Sequence, residues 1–84
     1  MTLNYKHYFQ GDSTITEYLS FYGTHFTIEN IADTPLSFTI NNSTIYVEPN
    51  TLSDYEFSPF NTVTVEADGD YRAYVCIENI YTRK

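Results

Sequence analysis

Leu36-Ser-Phe-Thr-Ile-Asn-Asn-Ser-Thr-Ile-Tyr-Val-Glu48 is the stretch that decides the fold. Asn41 and Asn42 tolerate the positive φ that a two-residue hairpin turn demands. With those residues as the loop, Ile40 opposes Ser43, Phe38 opposes Ile45 and Leu36 opposes Val47. Side chains alternate faces along a strand, and directly opposed residues share a face. Leu36, Phe38, Ile45 and Val47 therefore gather on one apolar side, with Ser37, Thr39, Thr44 and Tyr46 on the other. Turn chemistry and apolar alternation agree on one register, which predicts an antiparallel hairpin in a small all-β protein.

The rest of the chain reads the same way. Residues 3–9 alternate, with Leu3, Tyr5, His7 and Phe9 on one face, and Gln10-Gly11-Asp12 turns the chain. Residues 13–22 carry two signals. Thr14-x-x-Glu17 fits a capping box, and Ile15, Leu19 and Tyr22 have helical spacing. Ile15, Leu19 and Phe21 also fit period two with Glu17 as the exception, and the Thr, Tyr, Phe and Ile content favours the strand. Gly23 breaks the pattern, and residues 24–30 turn Phe26 and Ile28 inward. Ala32-Asp-Thr-Pro35 and Glu48-Pro49-Asn50 are turns. Residues 51–57 form a weaker strand, broken by Ser58-Pro59.

Residues 61–67 and 71–78 suggest a last hairpin around Asp68-Gly69-Asp70. A two-residue Asp-Gly loop would oppose Val65 to Arg72. A three-residue loop opposes Val65 to Ala73 and Val63 to Val75, which keeps one face apolar and is the better reading. Seven or eight short strands result, with turn signals between them and no helices. This predicts one domain over residues 1–84, an antiparallel β-sandwich or partly open barrel. Its expected core is Phe26, Ile28, Leu36, Phe38, Ile40, Ile45, Val47, Val63, Val65, Ala73, Val75 and Ile77.

Composition narrows the function. Four Lys and Arg against eleven Asp and Glu give a formal charge of −7, spread along the chain. This disfavours a nucleic-acid backbone or an anionic membrane as partner and suits a basic protein surface. No apolar run approaches the ~20 residues of a membrane helix. The N-terminus does not read as a signal peptide, so folding in a reducing cytoplasm is expected.

Chemistry is sparse. Cys76 alternates outward with Arg72, Tyr74 and Glu78, which suits a packing residue better than a nucleophile. His7 and His25 have no partner at metal-ligand spacing. Asp68-Gly69-Asp70 with Glu66 resembles part of a calcium loop but lacks the twelve-residue pattern, and a solvated tip explains the same residues. Asp54 and Glu56 share a face, yet a glycosidase pair needs a deep cleft. No catalytic, cofactor or metal site is therefore assigned. Nine Tyr are the better clue, since Tyr supplies contact area at low entropic cost. Tyr46 and Tyr74 fall on non-core faces, as do Tyr18 and Tyr22 if their segment is a strand. These four are the expected protein-interface residues.

Three runs resemble a known group of proteins: residues 40–52, Phe57-Ser-Pro-Phe-Asn-Thr-Val-Thr-Val65 and Gly69-Asp-Tyr-Arg-Ala-Tyr-Val75. Together they are similar to small all-β modules of tailed-phage and prophage virion proteins, over roughly residues 36–78. The resemblance implies a non-enzymatic virion protein, made in the host cytoplasm: a capsid decoration or cement subunit, or a tail accessory. Its partners would be other virion proteins or copies of itself, with no cofactor. A carbohydrate-binding module that stacks exposed Tyr on sugars is one alternative. A small acidic inhibitor of a host nucleic-acid enzyme is another.

Overall fold

The computed structural model describes the backbone of residues 3–79 and the side chains of residues 6–77. The expectations for the two extreme termini, and for the side chains of Leu3, Tyr5 and Glu78, lie outside these residues. Among the described residues six strands follow one another: β1 (Leu3–Gly11), β2 (Ile15–Asn30), β3 (Leu36–Ile40), β4 (Ser43–Val47), β5 (Thr51–Glu66) and β6 (Tyr71–Asn79). They form one open antiparallel sheet in the order β1-β6-β2-β5-β3-β4. The all-β class is as the alternation predicts, and residues 13–22 contribute strand, not helix.

The expected strand count needs correcting from seven or eight to six, because two anticipated breaks are bends. β2 and β5 are 16 residues long each and run through Gly23 and Ser58-Pro59. Their pairing register shifts between Tyr18 and Gly23 and again between Gly23 and His25. A Cβ on Gly23 would lie 2.2 Å from Cγ1 of Val75, so no larger residue lets the strand pass here. Pro59 lacks an N–H and is tolerated in this irregular stretch, where a regular ladder would reject it. Phe60, buried at the corner, contacts Phe57 edge-on with ring centroids 5.8 Å apart.

The bends divide the sheet into two wings. In the first, β1, β6, residues 25–30 of β2 and residues 51–56 of β5 lie side by side. In the second, residues 15–18 of β2 pair with 62–65 of β5, and β3 and β4 follow. The inner faces meet through aromatic rings. Phe38 of β3 packs on Phe26 of β2 at 4.7 Å, and on Tyr55 and Phe57 of β5 at 5.6 and 6.2 Å. Each such aromatic removes on the order of 150–250 Å² from water, enough for a few to dominate so small a core. The expected core residues are buried, except Ile45 and Ile77, which are half-buried. Leu19, Phe60 and Tyr71 join them.

The β3–β4 hairpin forms with the register read from its sequence, and Asn41 and Asn42 take φ of 51° and 67°. The last hairpin does not form. β5 pairs with β2 and β3, while β6 pairs with β1 and β2. Asp68-Gly69-Asp70 instead carries the chain from the second wing to the first. It packs on the turn after β2: the Ile31 N–H donates to the Asp70 carbonyl at 3.0 Å, and a Cβ on Gly69 would meet Ala32 at 2.4 Å. Val63, Val65, Ala73 and Val75 do point inward as their alternation requires, but toward other neighbours.

Two side-chain contacts tie separate strands of the folded sheet together. Asn30, 1% exposed, receives the Ala32 N–H on its Oδ1 at 3.1 Å. Its Nδ2 donates to the carbonyls of Thr34 at 2.9 Å and of Val47 and Glu48 at 3.3 Å each. From the middle of β1, His7 Nε2 meets Glu17 Oε2 of β2 at 2.6 Å, with side chains 31% and 28% exposed. Glu17, the exception to the period-two pattern, is thus turned inward to a partner.

Candidate functional site

What the fold leaves for contact with other molecules is the outer surface of each wing. On the second wing the register aligns Thr16, Thr64, Thr39 and Thr44 in one row across β2, β5, β3 and β4. Their hydroxyls bond in pairs, Thr16 with Thr64 at 3.2 Å and Thr39 with Thr44 at 2.9 Å. Tyr18, 75% exposed, stands on β2 and Tyr46, 77% exposed, on β4, at opposite sides of this row. Strand spacing of about 4.8 Å puts roughly 14 Å between those outer strands. Tyr22, also exposed, borders a polar concavity of about 400 Å³ with Thr39, Thr62 and Thr64. The hairpin tip is pinned beside it, since Asn41 Nδ2 donates to the Ser58 carbonyl at 3.0 Å.

The first wing has a different outer face. Three rows run in the strand order β1, β6, β2, β5. They are Lys6-Cys76-His25-Glu56, Tyr8-Tyr74-Thr27-Asp54 and Gln10-Arg72-Glu29-Leu52. Tyr8 and Tyr74 are ring neighbours with centroids 5.3 Å apart, and the Lys6 ammonium sits 5.3 Å from the Tyr74 ring centre. Arg72 pairs with Glu29 at 3.2 Å, and Thr27 donates to Asp54 at 2.9 Å. Two small concavities, about 220 and 240 Å³, flank Tyr8 and share Arg72 and Ala73. An open concavity of about 520 Å³ lies at the end of the wing between Asp12, Asp70 and Arg72.

The four anticipated interface tyrosines therefore separate. Tyr18, Tyr22 and Tyr46 belong to the second wing, and Tyr74 belongs to the first, half-buried beside Tyr8. Tyr8, Lys6 and the threonine row are additions that alternation within single strands cannot supply, because they arise from pairing. Cys76 lies on the outer face beside His25, half-buried. Asp54 and Glu56 share that face, both exposed. Among the described residues, no group of three or more His, Cys, Asp or Glu gathers as metal ligands would. No helix among them is long and apolar enough to cross a membrane.

Burial pushes the Tyr71 phenol above its ordinary value of 10.0, and the carboxylates of Glu17 and Asp12 push it the same way. Its hydroxyl donates to the Ser13 carbonyl at 3.3 Å. This tyrosine is a core residue, not a surface one.

The fold and its faces define a class, a bent antiparallel sheet with two unlike exposed surfaces. Comparisons with protein-family models, with curated proteins and with solved structures each find no match to this chain.

Proposed function

We propose that the chain is a non-enzymatic interaction protein, a virion accessory subunit of a tailed phage that decorates or cements the capsid or attaches to the tail. On this reading the bent sheet works as a small sandwich whose second wing supplies the contact. The observation that carries it is the outer face of that wing, where three well-exposed tyrosines surround hydroxyl-bearing, mostly uncharged side chains. Tyrosine is enriched in interface cores and charge is depleted there. The virion assignment itself draws on the sequence resemblance over residues 36–78. An overall charge of −7 suits docking onto a basic shell.

The test is incorporation. Tyr18→Ala and Tyr46→Ala should weaken uptake into particles while the purified chain stays folded, since truncating a buried aromatic anchor typically costs about 2 kcal/mol or more. Unchanged uptake of both variants would count against the reading. A carbohydrate-binding module is the second reading, favoured by the hydroxyl row lying between Tyr18 and Tyr46. It predicts loss of glycan affinity in the same variants, with uptake intact.

A further inference from the structure

We infer that the outer face of the first wing binds a second copy of the chain, about a two-fold axis lying in the interface parallel to the strands. The inference deepens the reading of this protein as an interaction subunit but uses the opposite surface. It rests on how charge is sorted by strand. In the three rows described, the cations, Lys6 and Arg72, stand on β1 and β6, and the carboxylates, Glu29, Asp54 and Glu56, stand on β2 and β5.

Rotation about an axis parallel to the strands keeps each row level and reverses the strand order. β1 then lies over the second copy's β5, and β6 over its β2. Lys6 faces Glu56, Arg72 faces Glu29, and the Tyr8 hydroxyl faces Asp54, each pair occurring twice by symmetry. An in-plane axis across the strands does the reverse. It stacks β5 on β5, sets Asp54 against Asp54 and gathers the cations together. Like charges opposed in an interface are strongly unfavourable, so the pattern selects the first rotation.

The aligned packing of two sheets, about 10 Å apart and within about 30° in direction, accommodates this geometry. Tyr8 and Tyr74 lie in its middle row, and the side chains of the face are exposed or half-exposed in the single chain. Three rows of four residues fall well short of the roughly 20–30 residues per side of a standard interface. The pair is accordingly weak and reversible.

Sedimentation velocity on the full chain over a concentration series tests this. A monomer–dimer equilibrium is expected across that series. Lys6→Glu and Glu56→Lys should each weaken self-association by more than about tenfold, since each opposes like charges. An equimolar mixture of the two variants should recover the dimer, because both contacts are then oppositely charged again. Circular dichroism confirms that each exposed-site variant is folded. A wild type that stays monomeric at the highest concentration overturns the proposal, as does a dimer insensitive to both variants. A mixture that remains monomeric overturns it too. The particle-uptake variants lie on the other wing, so either proposal can fail without the other.

Discussion

Two contacts that hold the folded sheet together rest on different physics. At the end of β2, one buried carboxamide, Asn30, meets backbone groups of the turn after β2 and of the exit from β4. From the middle of β1, His7 joins Glu17 near the start of β2 through one short contact that solvent reaches. A buried polar group that loses its partner costs more than the net value of the bond. An exposed pair has water as a substitute. Asn30 should therefore set the stability of the fold, and the His7–Glu17 contact should adjust it.

The largest effect that separates the two contacts belongs to Asn30. Asn30→Ala removes partners from buried carbonyls and from the Ala32 N–H, and should cost about 2–3 kcal/mol in urea unfolding. Asn30→Asp should cost more, because it turns a donor into a carboxylate facing three carbonyl oxygens. A loss below that of an ordinary surface substitution would remove the distinction. Between the extremes lies the hairpin turn, which belongs to neither contact. Asn42→Val should cost about 1–2 kcal/mol by forcing a β-branched residue to positive φ. An unchanged melting temperature would place the turn's stability elsewhere.

Tyr71, the ladder partner of Asn30 and within the field of Glu17, reports on the fold through pH. Its folded phenol binds its proton more tightly than the unfolded one, for the reasons of burial and nearby carboxylates. Its contribution is fully present below the unfolded value near 10 and is lost as pH rises through the folded value. Stability followed across that alkaline range should fall, and Tyr71→Phe should flatten the fall. A parallel fall in both proteins would assign it to other groups. The smallest effect is that of the pair itself. A double-mutant cycle with His7→Gln and Glu17→Gln should give a coupling of about 1 kcal/mol or less at neutral pH. A coupling as large as the Asn30 loss would erase the contrast.

How much of this was legible depends on sequence distance. The β3–β4 hairpin could be read completely, since its turn residues and apolar pattern are adjacent. Val63, Val65, Ala73 and Val75 gave their buried face correctly and their neighbours wrongly. Alternation encodes which side of a sheet a residue takes; it does not encode the strand beside it. The same limit governs the surface. Exposure of Tyr18, Tyr22 and Tyr46 follows from single-strand alternation. The Tyr8–Tyr74 pair requires β1 to meet β6, two strands from opposite ends of the chain. Gly23 and Pro59 announced irregularity, but their residue types do not distinguish a bend from a break.

The placement of β6 has a consequence for how the chain acquires its shape. The last strand lies between the first and second, and of all the pairings only β3 with β4 joins consecutive strands. Distant pairings must close long loops before they return any energy, and folding slows accordingly. On a ribosome the hairpin can form early, whereas β1 and β2 have no common partner until residues 71–79 emerge. Until then both present open edges, the condition under which nascent β-proteins associate wrongly. Removing the last nine-residue strand should thus do more than shorten the domain: it should leave the first wing unassembled and prone to aggregate.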